Sequence, residues 1–361
     1  MSPPKPQWLQ SAQSSSHLKS VLSVLRKREH YRQHLRLESR DSGSHSRSSS
    51  RRRRVSGNSN ADQKAIDYYS VAVGCENDSC NRYSDVEPYD RTRVVVAGGR
   101  YLNANWVREL FGGRWWIATQ APLPETAHAF LSLIMQPVTR PPLSLDPSHS
   151  QSTTSRIRTV VQLTQSVESG RRKADDYFPA NEGDDHSFEI GAEEGVELGP
   201  LTVTLLKTVT IEDIRCVMST VQISSTQDGV EPVVFTHMLF SAWPDHGVPE
   251  PEDQASLLAF LRLVDKINEP SSPIMVNCSA GIGRTGSFIA LSSLLRSHNL
   301  FASSARTVSP LPISPLGRLP LALESDLVSR EVDSLREQRP GMVQRDEQIN
   351  LIYQILTAAF Q

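Results

Sequence analysis

The stretch "MVNCSAGIGRTGSF", residues 275–288, decides how this chain of 361 residues is read. An apolar run ends at Asn277, a cysteine follows, and three glycines and one arginine fall within the next eight positions. "PIMVN" has the make-up of a short buried strand, and "RTGSFIALSSLLRSH" has apolar residues three and four apart. The loop between them therefore joins a strand end to a helix N-terminus. Consecutive backbone N–H groups in such a loop can all face inward, and the helix end adds partial positive charge; together they cradle a phosphate dianion. Gly281, Gly283 and Gly286 let the backbone curl without side-chain collision. A field that binds an anion also favours ionised sulfur at Cys278, and Arg284 adds a planar fork matching two phosphate oxygens.

Around this loop the pattern is mixed α and β. Strands are predicted over 158–163, 201–209, 216–224, 233–240 and 273–277, and helices over "PETAHAFLSLIM", "PEDQASLLAFLRLVDKI", "RTGSFIALSSLLRSH" and "DEQINLIYQILTAAF". Two Pro- and Ser-rich segments, 137–155 and 303–317, interrupt the body as surface insertions. No internal repeat appears.

The net charge of -2 conceals an asymmetry. Residues 1–59 carry 13 basic against 3 acidic residues, which leaves 25 against 37 for the remainder. The stretch "SRDSGSHSRSSSRRRRVSGNSN" has almost nothing to bury, so residues 1–60 are expected to form a basic, largely flexible tail with one short amphipathic helix around Leu18, Val21, Leu22 and Leu25. Solvated linker is the default for such charge, and nucleic acid is not the expected partner. No apolar run is long enough to cross a bilayer, and the four cysteines point to a reducing compartment: a cytoplasmic protein, with the nucleus also open. Cys75 and Cys80 lack a second pair to build a zinc site, so neither metal nor cofactor is expected.

The run C-S-A-G-I-G-R-T-G closely resembles the signature loop of the protein tyrosine phosphatases. "WPDHGVP" (243–249) resembles the mobile loop that delivers that family's general acid, which makes Asp245 the acid here. "NRYSDVEPYDRTRV" is similar to the loop that walls the phosphotyrosine pocket, with Tyr83 stacking on the substrate ring and Asp85 gripping the peptide backbone. "YLNANWV" and "WIATQAPLPET" are similar to the central packing motifs. In "VESGRRK" Glu168 would brace Arg284 and Lys173 would approach the acid loop. "PGMVQRDEQ" resembles the glutamine loop, with Gln344 and Gln348 positioning the hydrolytic water.

The resemblance implies an α/β fold: one catalytic domain over 61–361, with a twisted mixed sheet flanked by helices. It implies a Cys278 nucleophile forming a cysteinyl-phosphate, held by Arg284 and by the amides of Ser279, Ala280, Gly281, Ile282 and Gly283. Thr285 would stabilise the departing thiolate. A fungal-type, non-receptor enzyme is among the forms it leaves open. Asn277 departs from the pattern, since the family usually has histidine there; asparagine donates similar hydrogen bonds but carries no titratable charge. Two readings follow: an active phosphatase, or a weakened one that serves as a phosphotyrosine-binding module. In the tail, "RKREHYRQHLRL" sets Arg26, Lys27 and Arg28 ahead of Leu35 and Leu37. This resembles a docking motif for a tyrosine-phosphorylated MAP kinase, the cations meeting an acidic patch and the leucines filling apolar slots.

Overall fold

The computed structural model describes residues 4–12, 14–44, 60–142, 144–145, 156–245, 247–270, 272–302 and 311–361. Its frame is an eight-stranded sheet in the order β1-β2-β10-β3-β9-β8-β7-β6. The strands are β1 (Ala104–Arg108), β2 (Trp115–Thr119), β3 (Thr159–Gln162), β6 (Phe188–Ile190), β7 (Leu201–Ile211), β8 (Cys216–Ser225), β9 (Val233–Phe240) and β10 (Ile274–Asn277). The middle of the sheet is parallel, with β10 between β2 and β3 and β9 beyond β3. Both ends are antiparallel. A separate two-stranded hairpin joins β4 (Val167–Glu168) to β5 (Arg171–Arg172).

Side chains alternate across a strand, and the two cores follow that period. Trp116, Ala118, Val161, Ile274 and Val276 face one hydrophobic cluster, whereas Ile117, Val160 and Met275 face the other. The first cluster is closed by α6 (Pro251–Ile267), α7 (Gly283–Ser297), α8 (Leu327–Gln338) and α9 (Asp346–Ala358), and the second by α5 (Ala127–Met135). A central strand covered on both faces must be apolar throughout, which is why β10 is buried at all four positions. The loop after β10 lies beyond the carboxyl end of a parallel strand, where open α/β sheets build their ligand sites.

The N-terminal segment differs from the expected flexible tail. It forms α1 (Gln7–Ser11) and a 30-residue helix, α2 (Ser15–Ser44), much longer than the short helix its apolar spacing suggests. Leu9, Val21 and Leu25 enter the main core, and Leu35 packs in a third cluster with Ile66, Tyr69, Val71 and Tyr89, to which α3 (Asn60–Tyr68) contributes. The short helix α4 (Ala72–Glu76) follows. The charges are also spent inward. Arg32 is fully buried and meets Asp333 and Glu337 of α8, each at 2.5 Å; Arg28 meets Asp333 at 2.9 Å; and Arg26 pairs with Asp346. Burial alone would push the Arg32 guanidinium down, but Asp333 and Glu337 hold it well above its ordinary value. Composition predicts a solvated segment because it counts charges locally, and these carboxylates lie about three hundred positions away. Residues 45–59, with the run of four arginines, lie outside the described residues, as does most of the 137–155 insertion. Of the second insertion, residues 311–317 are described; Arg28 donates to the carbonyls of Leu316 and Gly317 at 3.2 and 2.9 Å.

Candidate active site

The loop that follows β10 is held from outside by its carbonyls. The Cys278 oxygen accepts from Asn277 Nδ2 at 3.3 Å, and the Ser279 oxygen from the Ala121 amide at 3.0 Å. The Ala280 and Gly281 oxygens accept from Arg339 at 3.0 and 2.8 Å, and the Ile282 oxygen from the Gly286 and Val343 amides at 2.9 and 3.2 Å. In a trans peptide the N–H points opposite to the C=O it is bonded to. Five anchored carbonyls therefore turn the amides of residues 279–283 the other way, toward the cleft. Among the described residues the amides of 279–282 donate to no protein acceptor. The curl needs glycine at 281, where φ is +72° and an added Cβ would lie 2.1 Å from the Thr119 carbonyl oxygen. At Gly286 an added Cβ would lie 2.4 Å from the Val343 amide nitrogen, so this glycine lets the glutamine loop press against the first turn of α7.

Cys278, buried at 6% exposure, lines a cleft of about 280 Å³. The same cleft is lined by Tyr83, Asp85, Lys173, Asp245, Ser279, Ala280, Ile282, Gly283, Arg284, Gln344 and Gln348, residues gathered from five separate stretches of sequence. Arg284 forks onto Glu168 with two 2.7 Å hydrogen bonds and donates to the Leu163 carbonyl at 3.0 Å and to Asp245 at 3.3 Å. Burial would lower this guanidinium, but the Glu168 hydrogen bonds and the charges of Cys278, Glu168 and Asp245 keep it above its ordinary value. Lys173 meets the other Asp245 oxygen at 2.6 Å. The acid loop is pinned behind Asp245, where Trp243 is buried and donates Nε1–H to the Gly247 carbonyl at 3.2 Å. Tyr83 and Ser279 share a 2.8 Å hydroxyl hydrogen bond, and Ser279 donates to the Lys173 carbonyl at 2.8 Å, so the wall of the cleft is tied to its floor. Gln348 accepts from the Arg345 amide at 3.2 Å, and its amide group stands 2.9 Å from where a Cβ on Gly283 would be.

Four expected site residues stand behind the cleft rather than in its lining. Gly281 shapes the turn, and Glu168 supports Arg284 from the rear. Thr285 is fully buried, and its hydroxyl has no hydrogen-bond partner among the described residues. Asn277 is also fully buried, with its Nδ2 on the Cys278 carbonyl and its Oδ1 unpartnered among the described residues.

Sequence reasoning missed the two arginines that hold the loops. Arg339 is fully buried, also donates to Asn103 and Asn105 at 2.9 Å, and is pushed down to about 10 by burial. Arg336 donates to the Met342, Val343 and Leu25 carbonyls at 2.8, 2.7 and 3.1 Å, joining the glutamine loop to α2. The only local signal was two arginines flanking "EQ" before "PGMVQ", a pattern that a solvated helix end shares. Arg171, Val86 and Arg345 also line the cleft without having been singled out.

The family profile for protein-tyrosine phosphatase matches residues 77–140 and 152–312, more than half of the chain. The chain belongs to the protein tyrosine phosphatase family. It is 29% identical over 296 residues to the human receptor-type tyrosine-protein phosphatase eta, covering 78% of this chain and 19% of that protein. It is 32% identical over 287 residues to the rat receptor-type tyrosine-protein phosphatase F, covering 77% of this chain and 12% of that protein. The chain thus spans less than a quarter of the length of these curated relatives. Among solved structures, the Trypanosoma cruzi protein tyrosine phosphatase TcPTP1 superposes with a TM-score of 0.61 at 25% identity, over 80% of this chain and 85% of that one. A structure described as the basis of the PTPN18 fingerprint on distinct HER2 tyrosine phosphorylation sites gives 0.58 at 25% identity, over 81% and 87%. The twisted mixed sheet flanked by helices is the fold these phosphatases share. Among the described residues no helix is long and apolar enough to cross a membrane.

Proposed function

We propose that this chain hydrolyses phosphotyrosine in proteins through a phosphoryl group carried on Cys278. The observation that carries the proposal is the set of loop amides turned into the cleft beside Cys278 and Arg284, with Asp245 facing them. Cys278 sulfur attacks phosphorus, the S–P bond forms, and the bond to the tyrosyl oxygen breaks as Asp245 gives that oxygen a proton. The amides and the Arg284 fork carry the charge on the equatorial oxygens. Asp245 then takes a proton from water held by Gln344 and Gln348, and the new P–O bond releases the thiolate, toward which the Thr285 hydroxyl is free to turn. Tyr83, tied to Ser279, supports the phosphotyrosine reading, because a wall rising from the cradle floor suits a phenyl ring better than the short phosphoserine side chain.

A MAP kinase as the substrate is not favoured by the proposed docking residues. Leu35 is buried and Arg28 is paired with Asp333 of α8, while Arg26, paired with Asp346 of α9, stays at the surface with Lys27 and Leu37. Partner recognition through that motif would require α2 to leave the body.

Turnover of a small aryl phosphate tests the proposal. The wild-type chain is expected to release phosphate, and Cys278→Ser to lose that turnover by on the order of 10⁵-fold, because a serine hydroxyl is hardly ionised at neutral pH. Binding of phosphotyrosine without turnover would instead favour the binding-module reading, with Asn277 as the first residue to examine.

A further inference from the structure

The β4–β5 hairpin brings a second arginine to the cleft, with a task different from that of Arg284. Its turn is Ser169–Gly170, with φ of +50° and +73° at the two positions. Left-handed geometry at both central residues gives the two-residue turn that matches strand twist, so the register of the hairpin is fixed. That register sets Glu168 opposite Arg171 and Val167 opposite Arg172. Residues directly opposite in an antiparallel pair share a face. Glu168 reaches into the site to brace Arg284, so Arg171 leaves the hairpin on the same side and lines the cleft. Arg172 leaves on the other side, toward Asp175 and Asp176 at 3.6 and 3.9 Å.

The two cations deeper in the cleft already have carboxylates: Lys173 has Asp245, and Arg284 has Glu168 and Asp245. Arg171 is exposed and has no ion-pair partner among the described residues. Four basic residues line the cleft, Arg171, Lys173, Arg284 and Arg345, against two acidic ones, Asp85 and Asp245. Arg171 is too exposed to replace Arg284 as the phosphate fork, yet it stands on the wall past which a bound peptide must run.

We propose that Arg171 selects substrates, favouring peptides with Asp or Glu beside the phosphotyrosine. Its guanidinium pairs with a carboxylate of the peptide while the phosphate lies in the cradle. The inference rests on the phosphotyrosine reading above. An exposed ion pair is weak, so the preference is set by one charge and shrinks as salt rises.

The test compares kcat/KM for two phosphotyrosine peptides of equal length, one with Glu flanking the phosphotyrosine and one with Gln at those positions. A small aryl phosphate, which has no flanking residues, is run beside them. Wild type is expected to favour the acidic peptide by roughly fivefold at low ionic strength. Arg171→Ala is expected to bring the ratio close to one and Arg171→Glu to invert it, whereas Arg172→Ala keeps the wild-type ratio. Equal kcat/KM for the two peptides in the wild type, or a ratio unmoved by Arg171→Ala, overturns the assignment. Loss of the ratio in Arg172→Ala as well would show a diffuse field and also overturn it. Failure of the wild type to turn over any aryl phosphate would defeat the phosphatase reading itself, a result distinct from turnover without preference.

Discussion

Helix α2 and the loop after β10 both surround arginines with oxygen atoms, and the two regions use the charge in opposite ways. Arg32 on α2 is fully buried, with Asp333 and Glu337 on its donors; nothing of it reaches solvent. Arg284 has Glu168 behind it, while its other side lies in the lining of the cleft. A guanidinium whose donors are taken up by buried carboxylates holds elements together, and one that keeps donors toward a cleft can take up an anion. Counting basic residues does not separate the two cases, because both segments are basic; the location of the acids does. Helix α8 joins the regions, since Arg336 ties α2 to the glutamine loop and Arg339, just past the end of α8, holds the cradle from beneath.

The comparison breaks most visibly at the two arginines themselves. Arg284→Ala removes the fork from the developing phosphorane charge, and kcat/KM for a phosphotyrosine peptide should fall by about 10³-fold while the melting temperature changes little. Arg32→Ala should do the reverse. It leaves Glu337 buried without its cation and Asp333 with Arg28 alone, which should cost about 3 kcal/mol of unfolding free energy by denaturant titration. Any fall in rate in that variant should track the loss of folded protein. Lys27→Ala, five residues earlier on the same helix but exposed, should shift stability by no more than about 0.5 kcal/mol. If Arg32 and Lys27 behaved alike, α2 would be the loosely attached tail that its composition suggests.

A third buried nitrogen group sharpens the point, because it has no carboxylate. His237 on β9 is buried between Tyr177 and Phe178, with Gln162 Oε1 at 3.3 Å from its ring, and burial pushes it down from 6.5 to about 4. With the folded value below the unfolded one, the stability it contributes is complete above about pH 6.5 and is lost as pH falls toward 4. The loss should reach roughly 3 kcal/mol near pH 4, since each unit of displacement is worth about 1.4 kcal/mol. His237→Phe should flatten that part of the stability profile, whereas an unchanged acid slope would mean that another group sets it.

How much was legible in the sequence follows from the same contrast. The cradle could be read because its chemistry requires contiguous residues: a thiol, inward amides, glycine at a left-handed turn and an arginine at the helix start all lie within 278–286. Strands β3, β7, β8, β9 and β10 and helices α5, α6, α7 and α9 could be read because their apolar period is local. The start of α2 could be read from Leu18, Val21, Leu22 and Leu25, but its length and its docking could not, because Arg28 and Arg32 acquire their partners only when α8 arrives. Arg339 and Arg336 were hidden for the same reason, since a buried arginine bonded to carbonyls has the same letter as a solvated one. Helix α8 carries Glu331, Asp333, Arg336 and Glu337, all buried, so its charged sequence masked its place in the core.

The central claim is that the phosphoryl group passes through Cys278, and trapping that group tests it most directly. The Gln344→Ala, Gln348→Ala double variant, in which the hydrolytic water loses its positioning groups, is mixed with a phosphotyrosine peptide, quenched in acid within the first turnover and digested for mass analysis. The account predicts one phosphoryl group on the peptide that contains Cys278, absent when Cys278→Ser is added. A phosphoryl group on another side chain, or phosphate released at the normal rate by the Cys278→Ser protein, would contradict it.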